Sequence, residues 1–348
     1  TKLNPVTTKL FNKLDDPLYE YNDDDGIKIE PVYYVPTMPM LLINGSSGIG
    51  TGWSTDIPCF NPKDILKNIK LYNSGFAMES MIPYYKGFKG KIVPNGSNFI
   101  SKGIYEIKKD KLIVTELPIG VWGQTYKEML ENMINKNEIR YYNSYCSDTE
   151  VNYEIVMDET SINNLNKLDK SCENKLEKKF KLISSINVSN IVAFDKNNKI
   201  MKYDSINDIL KEFIDTRLDY YVLRKQHLVK LLEEEIKYLL LKIRFIKEFI
   251  SGKIKISNQR KIDIISQLEK GKYNMKDNTY DYLLTMPIYN LTKEKIDEFD
   301  NKTKSKSEEL EFLKTKSNKD LWKDDYTEIE KTFENNSLVA KKVKFVKK

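Results

Sequence analysis

Between Val229 and Ile250 the apolar residues Val229, Leu232, Ile236, Leu239, Ile243, Ile246 and Ile250 recur at alternating steps of three and four. That is the a/d spacing of a helix seam, and it commits much of the chain to one long helix. Ser205-Ile206-Asn207-Asp208 resembles a capping box and sets the start, while Gly252 offers a stop. A helix over 206–250 would reach about 65 Å at 1.5 Å per residue. Thr292 is placed to cap a returning helix with Ile296, Phe299, Leu310 and Leu313 on one face, packed antiparallel on the first. Ser317-Asn318-Lys319-Asp320 opens a last helical piece around Leu321 and Trp322, and residues 257–290 read as a small compact unit holding Tyr280, Leu283 and Met286. Such a pair is either a plain core element or a lever or dimerisation arm, and periodicity does not separate the two.

The second constraint is Asn44-Gly45-Ser46-Ser47-Gly48-Ile49-Gly50-Thr51-Gly52-Trp53-Ser54-Thr55, where four of the 14 glycines stand around a single large aliphatic residue. Glycine permits positive φ and close backbone approach. A Walker A loop would need Gly-Lys-Ser/Thr, but Trp53 follows Gly52. A dinucleotide fingerprint would need G-x-G-x-x-G, whereas Gly48, Gly50 and Gly52 give G-x-G-x-G. Two readings remain: a structural turn, or a tight loop presenting Ile49 as an apolar wedge of the kind that kinks DNA.

Around these features the chain reads as α+β. Residues 1–40 are acidic and proline-punctuated, read as loop and short elements finishing a unit begun upstream; the sequence starts at Thr1 in mid-pattern, as a piece of a longer chain would. Asn61-Pro62-Lys63-Asp64 starts a helix with Ile65, Leu66, Ile69 and Tyr72 on its apolar face. Short β-rich runs follow at 91–93, 104–107 and 112–115, the last two joined by a turn at Lys109-Asp110. A helix over 124–135, a strand over 151–157 and a hairpin pairing 191–194 with 200–203 complete the unit.

The 57 Lys+Arg against 51 Asp+Glu give a net charge of +6, compatible with a nucleic-acid partner without requiring one. Cys59, Cys146 and Cys172 lack C-x-x-C spacing, which points to a reducing compartment without a disulfide framework. The single histidine, His227, reads as a solvated residue of the long helix and supports neither a His-rich metal site nor a convincing triad. Asp23-Asp24-Asp25 lacks an EF-hand loop. No apolar run approaches the ~20 residues of a membrane span. Lys178, Lys179 and Lys181 precede the small polar run Ser184 to Asn190, which offers hydroxyls, amides and backbone N–H groups to phosphates or else is a solvated cluster before a hairpin. The terminal run Lys341 to Lys348 is a basic tail, either solvated or a nucleic-acid or import patch.

Taken together, several motifs resemble one family. Glu30-Pro31, Pro36-Thr37-Met38-Pro39-Met40 and NGSSGIGTGWSTDIP are similar to the DNA breakage-reunion region of eukaryotic-type DNA topoisomerase II. Glu116-Leu117-Pro118 with Trp122, Phe180-Lys181-Leu182 with Ile183-Ser184, Val192-Ala193-Phe194-Asp195 and Lys202-Tyr203 follow in the family's order. Asp281-Tyr282-Leu283-Leu284, Leu291-Thr292-Lys293-Glu294-Lys295 and Asp320-Leu321-Trp322 complete a likeness spanning nearly the whole chain. The bacterial type typically has G-I-A-V-G-M-A-T where this chain has GIGTGWST.

The resemblance implies a fold and a set of roles. Residues 1–40 would end a winged-helix domain, 41–195 would form an α+β tower carrying the DNA-intercalating loop, and 196–335 an antiparallel coiled coil with an exit-gate dimer interface at about 257–290, before a basic tail at 336–348. Ile49 would intercalate and bend double-stranded DNA. Trp122 and the segment Lys181, Leu182, Ile183, Ser184, Ser185, Ile186, Asn187, Val188, Ser189 and Asn190 would contact it. The family's cleaving tyrosine lies in a Pro-Arg-Tyr-Ile-Tyr-Thr run whose last residue matches Thr1, so the nucleophile is expected three residues upstream, and the chain alone is expected not to cleave. ATP and Mg²⁺ would be bound outside it. The parent enzyme would be a nuclear homodimer, a viral or organellar form being the other option, that passes one duplex through a transient double-strand break in another. The alternative is a non-catalytic DNA-binding and dimerisation module. Gly120 stands where the family often has arginine.

Overall fold

The structure is a computed structural model describing residues 3–147, 149–166 and 174–340. The basic run 341–348 and Cys172 lie outside the described residues. Contacts divide the chain into two units: Met38–Thr216, and the residues up to Thr37 together with those from Arg217 onward.

In the second of these, the N-terminal stretch forms α1 (Thr7–Leu10), a 3₁₀ turn over Lys13–Leu18, and the strands β1 (Tyr21–Asp24) and β2 (Ile27–Pro31). Where the acidic composition suggested loop, these strands pair as an antiparallel hairpin. Its turn, Asp25-Gly26, has both residues at positive φ, and the Asp23 carboxylate accepts the Gly26 amide at 2.9 Å. Asp-Gly is a strong hairpin signal even in an acidic run.

The unit Met38–Thr216 opens with α2 (Met40–Asn44), then β3 (Ser46–Ile49) and β4 (Ser54–Ile57), then α3 (Pro62–Asn73). The Asn61 side chain accepts the Lys63 amide at 3.0 Å, and α3 buries Ile65, Leu66 and Ile69 as its pattern predicts. Two sheets follow. Strands β5 (Lys91–Asn95) and β6 (Asn98–Lys102) belong to a three-stranded sheet completed by β11 (Ile183–Ile186) in the order β11-β6-β5. Strands β7 (Ile104–Lys108), β8 (Lys111–Glu116), β9 (Tyr141–Ser144) and β10 (Tyr153–Val156) form the other, in the order β7-β8-β10-β9. The β7–β8 turn falls at Lys109-Asp110, with Lys109 at φ 49°.

Helices α4 (Gly123–Asn135), α5 (Glu159–Leu165) and α6 (Lys175–Lys179) accompany the sheets. Leu112 and Val114 of β8, Tyr126 and Leu130 of α4, Tyr153 and Ile155 of β10, and Phe180 and Leu182 share one core. Alternate residues of each strand and one stripe of the helix reach that core, as the two periodicities require. Strands β12 (Val192–Phe194) and β13 (Ile200–Lys202) then form the expected hairpin.

α7 (Ile206–Ile250) is a single 45-residue helix. Ser205 caps it reciprocally: its hydroxyl accepts the Asp208 amide at 3.2 Å and donates to the Asp208 carboxylate at 2.7 Å. Four seam residues, Leu232, Leu239, Ile243 and Ile246, are buried, whereas Ile250 is exposed because the helix ends there and turns at Gly252, φ 73°. His227 is half-buried rather than fully solvated. Then come α8 (Lys261–Lys270), α9 (Asp281–Leu284), α10 (Lys293–Thr315) and α11 (Asn318–Ala340).

α10 returns along α7. Lys225 donates to the carbonyls of Lys314 and Lys316 at 2.8 and 2.6 Å, Glu235 pairs with Lys302, and Ile243 and Ile246 cluster with Ile296. The falling partner numbers make the pair antiparallel. Beyond it, Phe245, Ile254, Leu268, Tyr273, Tyr280 and Leu283 form a separate small core.

Candidate nucleic-acid interface

The glycine stretch is a β-hairpin, not a loop. Ser46 pairs with Ile57, Ser47 with Asp56, Gly48 with Thr55 and Ile49 with Ser54, and the Gly50 amide closes the tip on the Trp53 carbonyl at 2.7 Å. Gly45 is the position that demands glycine. At φ 68° a Cβ there would stand 2.7 Å from the Ile57 carbonyl and 3.1 Å from Cys59 Sγ, so β3 leaves α2 only where no side chain intervenes. At Gly48, by contrast, an added Cβ meets nothing within 4 Å.

Backbone pairing carries this hairpin, because glycine and serine supply little side-chain packing. It leaves Ile49 94% exposed next to the tip. A β-branched side chain is stiff about χ1, and the backbone beneath it is fixed by the ladder, so Ile49 is a rigid apolar projection.

The hairpin is also braced from the side. Thr55 Oγ1 donates to the Val192 carbonyl at 2.8 Å and accepts the Val192 amide at 3.2 Å. The Asp56 amide donates to the Asn190 carbonyl at 2.9 Å, and the Asn190 side chain donates to Ser54 Oγ at 2.9 Å. Asn190 thus serves the hairpin.

At its other end the 183–190 segment meets Trp122. Ser184 of β11 lies opposite Ser101 of β6, and Ser101 Oγ accepts the Ile119 amide at 3.0 Å. Gly120, φ 83°, sits where an added Cβ would be 4.0 Å from Ser184 Oγ. Two residues on, Trp122 is 77% exposed in the extended residue that leads into α4. Ile49, Asn190, Ser184 and Trp122, scattered in sequence, therefore lie along one connected track. The six residues from Ser184 to Asn190 span at most about 20 Å.

Within the track the side chains divide. Leu182 and Ile186 are buried, Leu182 in the main core, so neither side chain is available to a surface ligand and these two positions serve packing. Ser185, Asn187 and Ser189 are exposed, Ile183, Ser184, Val188 and Asn190 half-buried. Lys181 is exposed with φ 46°. Lys179 is tied to Glu138 at 3.0 Å, so the lysine run is not a uniform cationic cluster. Sequence reasoning missed the exposed aromatic rings next to Ile49, namely Trp53, 50% exposed, and Phe194, 63% exposed. The signal was present at Trp53, directly after Gly52 in the hairpin turn.

The described residues hold no group of three or more His, Cys, Asp or Glu side chains placed for a metal ion, and no helix there is long and apolar enough to cross a membrane. The donor set does not fit Mg²⁺. Gly52-Trp53 likewise lacks the lysine and hydroxyl of a triphosphate loop.

With that geometry in hand, comparisons with known proteins agree. The family model described as DNA gyrase/topoisomerase IV matches residues 1–327. The chain is similar to the mitochondrial DNA topoisomerase 2 of Dictyostelium discoideum, 37% identical over 97% of this chain and 26% of the relative. It is similar also to DNA topoisomerase 2 of Plasmodium falciparum, 36% identical over 96% of this chain and 26% of that protein. The chain therefore spans about a quarter of the length of these curated relatives. The crystal structure of the Plasmodium falciparum topoisomerase II DNA-binding, cleavage and re-ligation domain superposes with a TM-score of 0.83 at 36% identity, covering 97% of this chain and 50% of that one.

Proposed function

Because the chain belongs to the DNA gyrase/topoisomerase IV family, with eukaryotic topoisomerase 2 relatives along nearly its whole length, we propose that it binds and bends the cleaved duplex of a type II DNA topoisomerase. One observation carries the reading: a rigid, braced hairpin presents Ile49 94% exposed next to its tip. An isoleucine so exposed contributes little to folding and has the shape of an intercalating wedge.

Inserting such a wedge costs a few kcal/mol of unstacking per step, and smooth bending of a site costs about 1–6 kcal/mol. Phosphate contacts along the duplex arms offset that cost. On this reading Lys181, Ser184, Ser185, Asn187, Ser189 and the backbone of the same segment meet phosphates, and Trp122 packs on the sugar edge.

The parts carry family roles in the same proposal. Residues 1–40 end a winged-helix domain, 41–195 form the tower, and 196–335 the coiled coil, with the small core around Tyr273 and Tyr280 as the exit-gate contact of a homodimer. The whole protein would couple ATP hydrolysis and Mg²⁺-dependent cleavage to duplex passage, in the nucleus or, like the Dictyostelium relative named above, in mitochondria. Since the described residues fit neither Mg²⁺ nor a nucleotide, no step here runs through either group.

The test is plasmid topology. The full-length protein with ATP and Mg²⁺ should change the linking number of a supercoiled plasmid in steps of two, because passing one duplex through another alters it by that amount. Folded protein that binds plasmid without such steps would leave a DNA-binding and dimerisation module instead.

A further inference from the structure

Beside Ile49 lies an open groove of about 670 Å³ whose walls come from both hairpins of this unit: Leu41 and Trp53 on one side, Val192, Phe194 and Ile200 on the other, with Ile49 at its rim. Phe194 and Ile200 face each other across the β12–β13 ladder. They are 63% and 43% exposed, an apolar pair that the hairpin does not need for its own core.

The turn that holds the pair is well ordered. The Asp195 carboxylate accepts the amides of Asn197 and Lys199 at 2.9 and 2.7 Å, and those bonds keep its pKa below the ordinary value. Such a contiguous apolar patch on a polar surface marks an interaction site. Its occupant follows from its neighbours. The groove is continuous with the wedge, and the β12–β13 hairpin carries exposed Lys199 and Lys202, so whatever enters is apolar in the middle and anionic outside. A duplex opened at one step has that character, with deoxyribose and base faces uncovered between its phosphates.

We infer that Phe194, Ile200 and Trp53 form an apolar wall that receives the deoxyribose edge of the nucleotide next to the step opened by Ile49. The inference rests on the DNA-bending reading above. The wall holds the step open after the wedge has entered, which makes Phe194 a positioning residue for the bent duplex.

The experiment uses the full-length protein and a duplex carrying a fluorophore pair at its ends and 2-aminopurine beside the central step. Phe194→Ser should weaken binding about fivefold to tenfold, the equivalent of losing part of one buried aromatic contact. It should lower both end-to-end transfer and 2-aminopurine emission, and Phe194→Leu should restore them. The slope of log affinity against log salt should not change, because an apolar contact releases no counterions. At 63% exposure the ring contributes little to folding, and an unchanged melting temperature checks that. Wild-type bending with an indistinguishable Phe194→Ser variant overturns the wall and leaves the wedge standing. A shallower salt slope overturns it too, since the loss would then be a displaced phosphate contact. A wild-type protein that binds without bending removes the wall together with the reading beneath it.

Discussion

Arg224 grips Asp15 in a bidentate ion pair, Nε to Oδ1 and Nη2 to Oδ2, each at 2.7 Å and both residues buried. Arg217 Nη1 donates to the same carboxylate at 2.7 Å, and Asp325 of α11 accepts from Arg224 Nη1 at 2.7 Å. The Tyr221 ring lies 4.4 Å from the Arg217 guanidinium and 4.6 Å from that of Arg224. The Trp322 indole stacks on Tyr221 and donates to the Thr37 carbonyl at 3.1 Å. The first 37 residues are thereby tied to α7 and α11. Asp15→Ala strands two buried guanidinium groups and should cost about 3–5 kcal/mol, measured by urea denaturation. Replacing Asp15, Arg217 and Arg224 together with apolar residues should recover most of that loss.

Acid should loosen the small core around Tyr273 before the rest. Glu248 accepts Lys253 Nζ at 2.7 Å, Tyr273 Oη at 2.9 Å and Arg244 Nε at 3.0 Å. Burial raises its pKa, but these hydrogen bonds outweigh burial and hold it below its ordinary 4.5. A carboxylate depressed on folding stabilises fully above its unfolded pKa and loses that contribution as pH falls through the folded value. Amide exchange in residues 254–284 should therefore accelerate below about pH 4.5. In Glu248→Gln that acid-dependent acceleration should be smaller.

Two neighbouring glycines should respond oppositely to alanine. Gly45→Ala places a methyl 2.7 Å from the Ile57 carbonyl at φ 68°, a strain of about 1–3 kcal/mol that should lower the melting temperature and disorder the hairpin. Gly48→Ala meets open space and should melt like the parent. Parallel thermal melts of the two variants decide it.

At Gly120 a side chain has room but an unfavourable backbone, φ 83°. Gly120→Arg should cost about 1 kcal/mol of stability. It sets a cation beside Ser184 and should steepen the salt dependence of duplex binding by about one unit. An unchanged slope would put this position away from the DNA path.

The long elements were legible in the sequence because periodicity is local. The seam from Leu232 to Ile246 and the caps at Ser205, Asn61 and Thr292 needed no knowledge of partners. Strands β6 and β9 were hidden because Asn98, Ser101 and Lys102, or Tyr141 and Asn143, resemble loop composition, and pairing alone makes them strands. The glycine hairpin was hidden for the same reason: Ser46, Ser47 and Gly48 have poor β propensity, and the ladder with β4 overrides it. Within the candidate site, alternation in Leu182-Ile183-Ser184-Ser185-Ile186 already separated packing from surface residues, yet the resemblance treated the run as one block. Nothing local links Asp15 to Arg224 or Phe194 to Trp53, which meet only through tertiary structure.

The most direct test of the whole account is the bend that Ile49 imposes. With fluorophores at the ends of a duplex, the wild-type protein should raise energy transfer on binding. Ile49→Ala should bind within a few fold of the parent, because phosphate contacts dominate affinity, while the transfer gain falls toward that of straight DNA. An Ile49→Ala protein that binds and bends like the wild type would contradict the wedge and the function built on it.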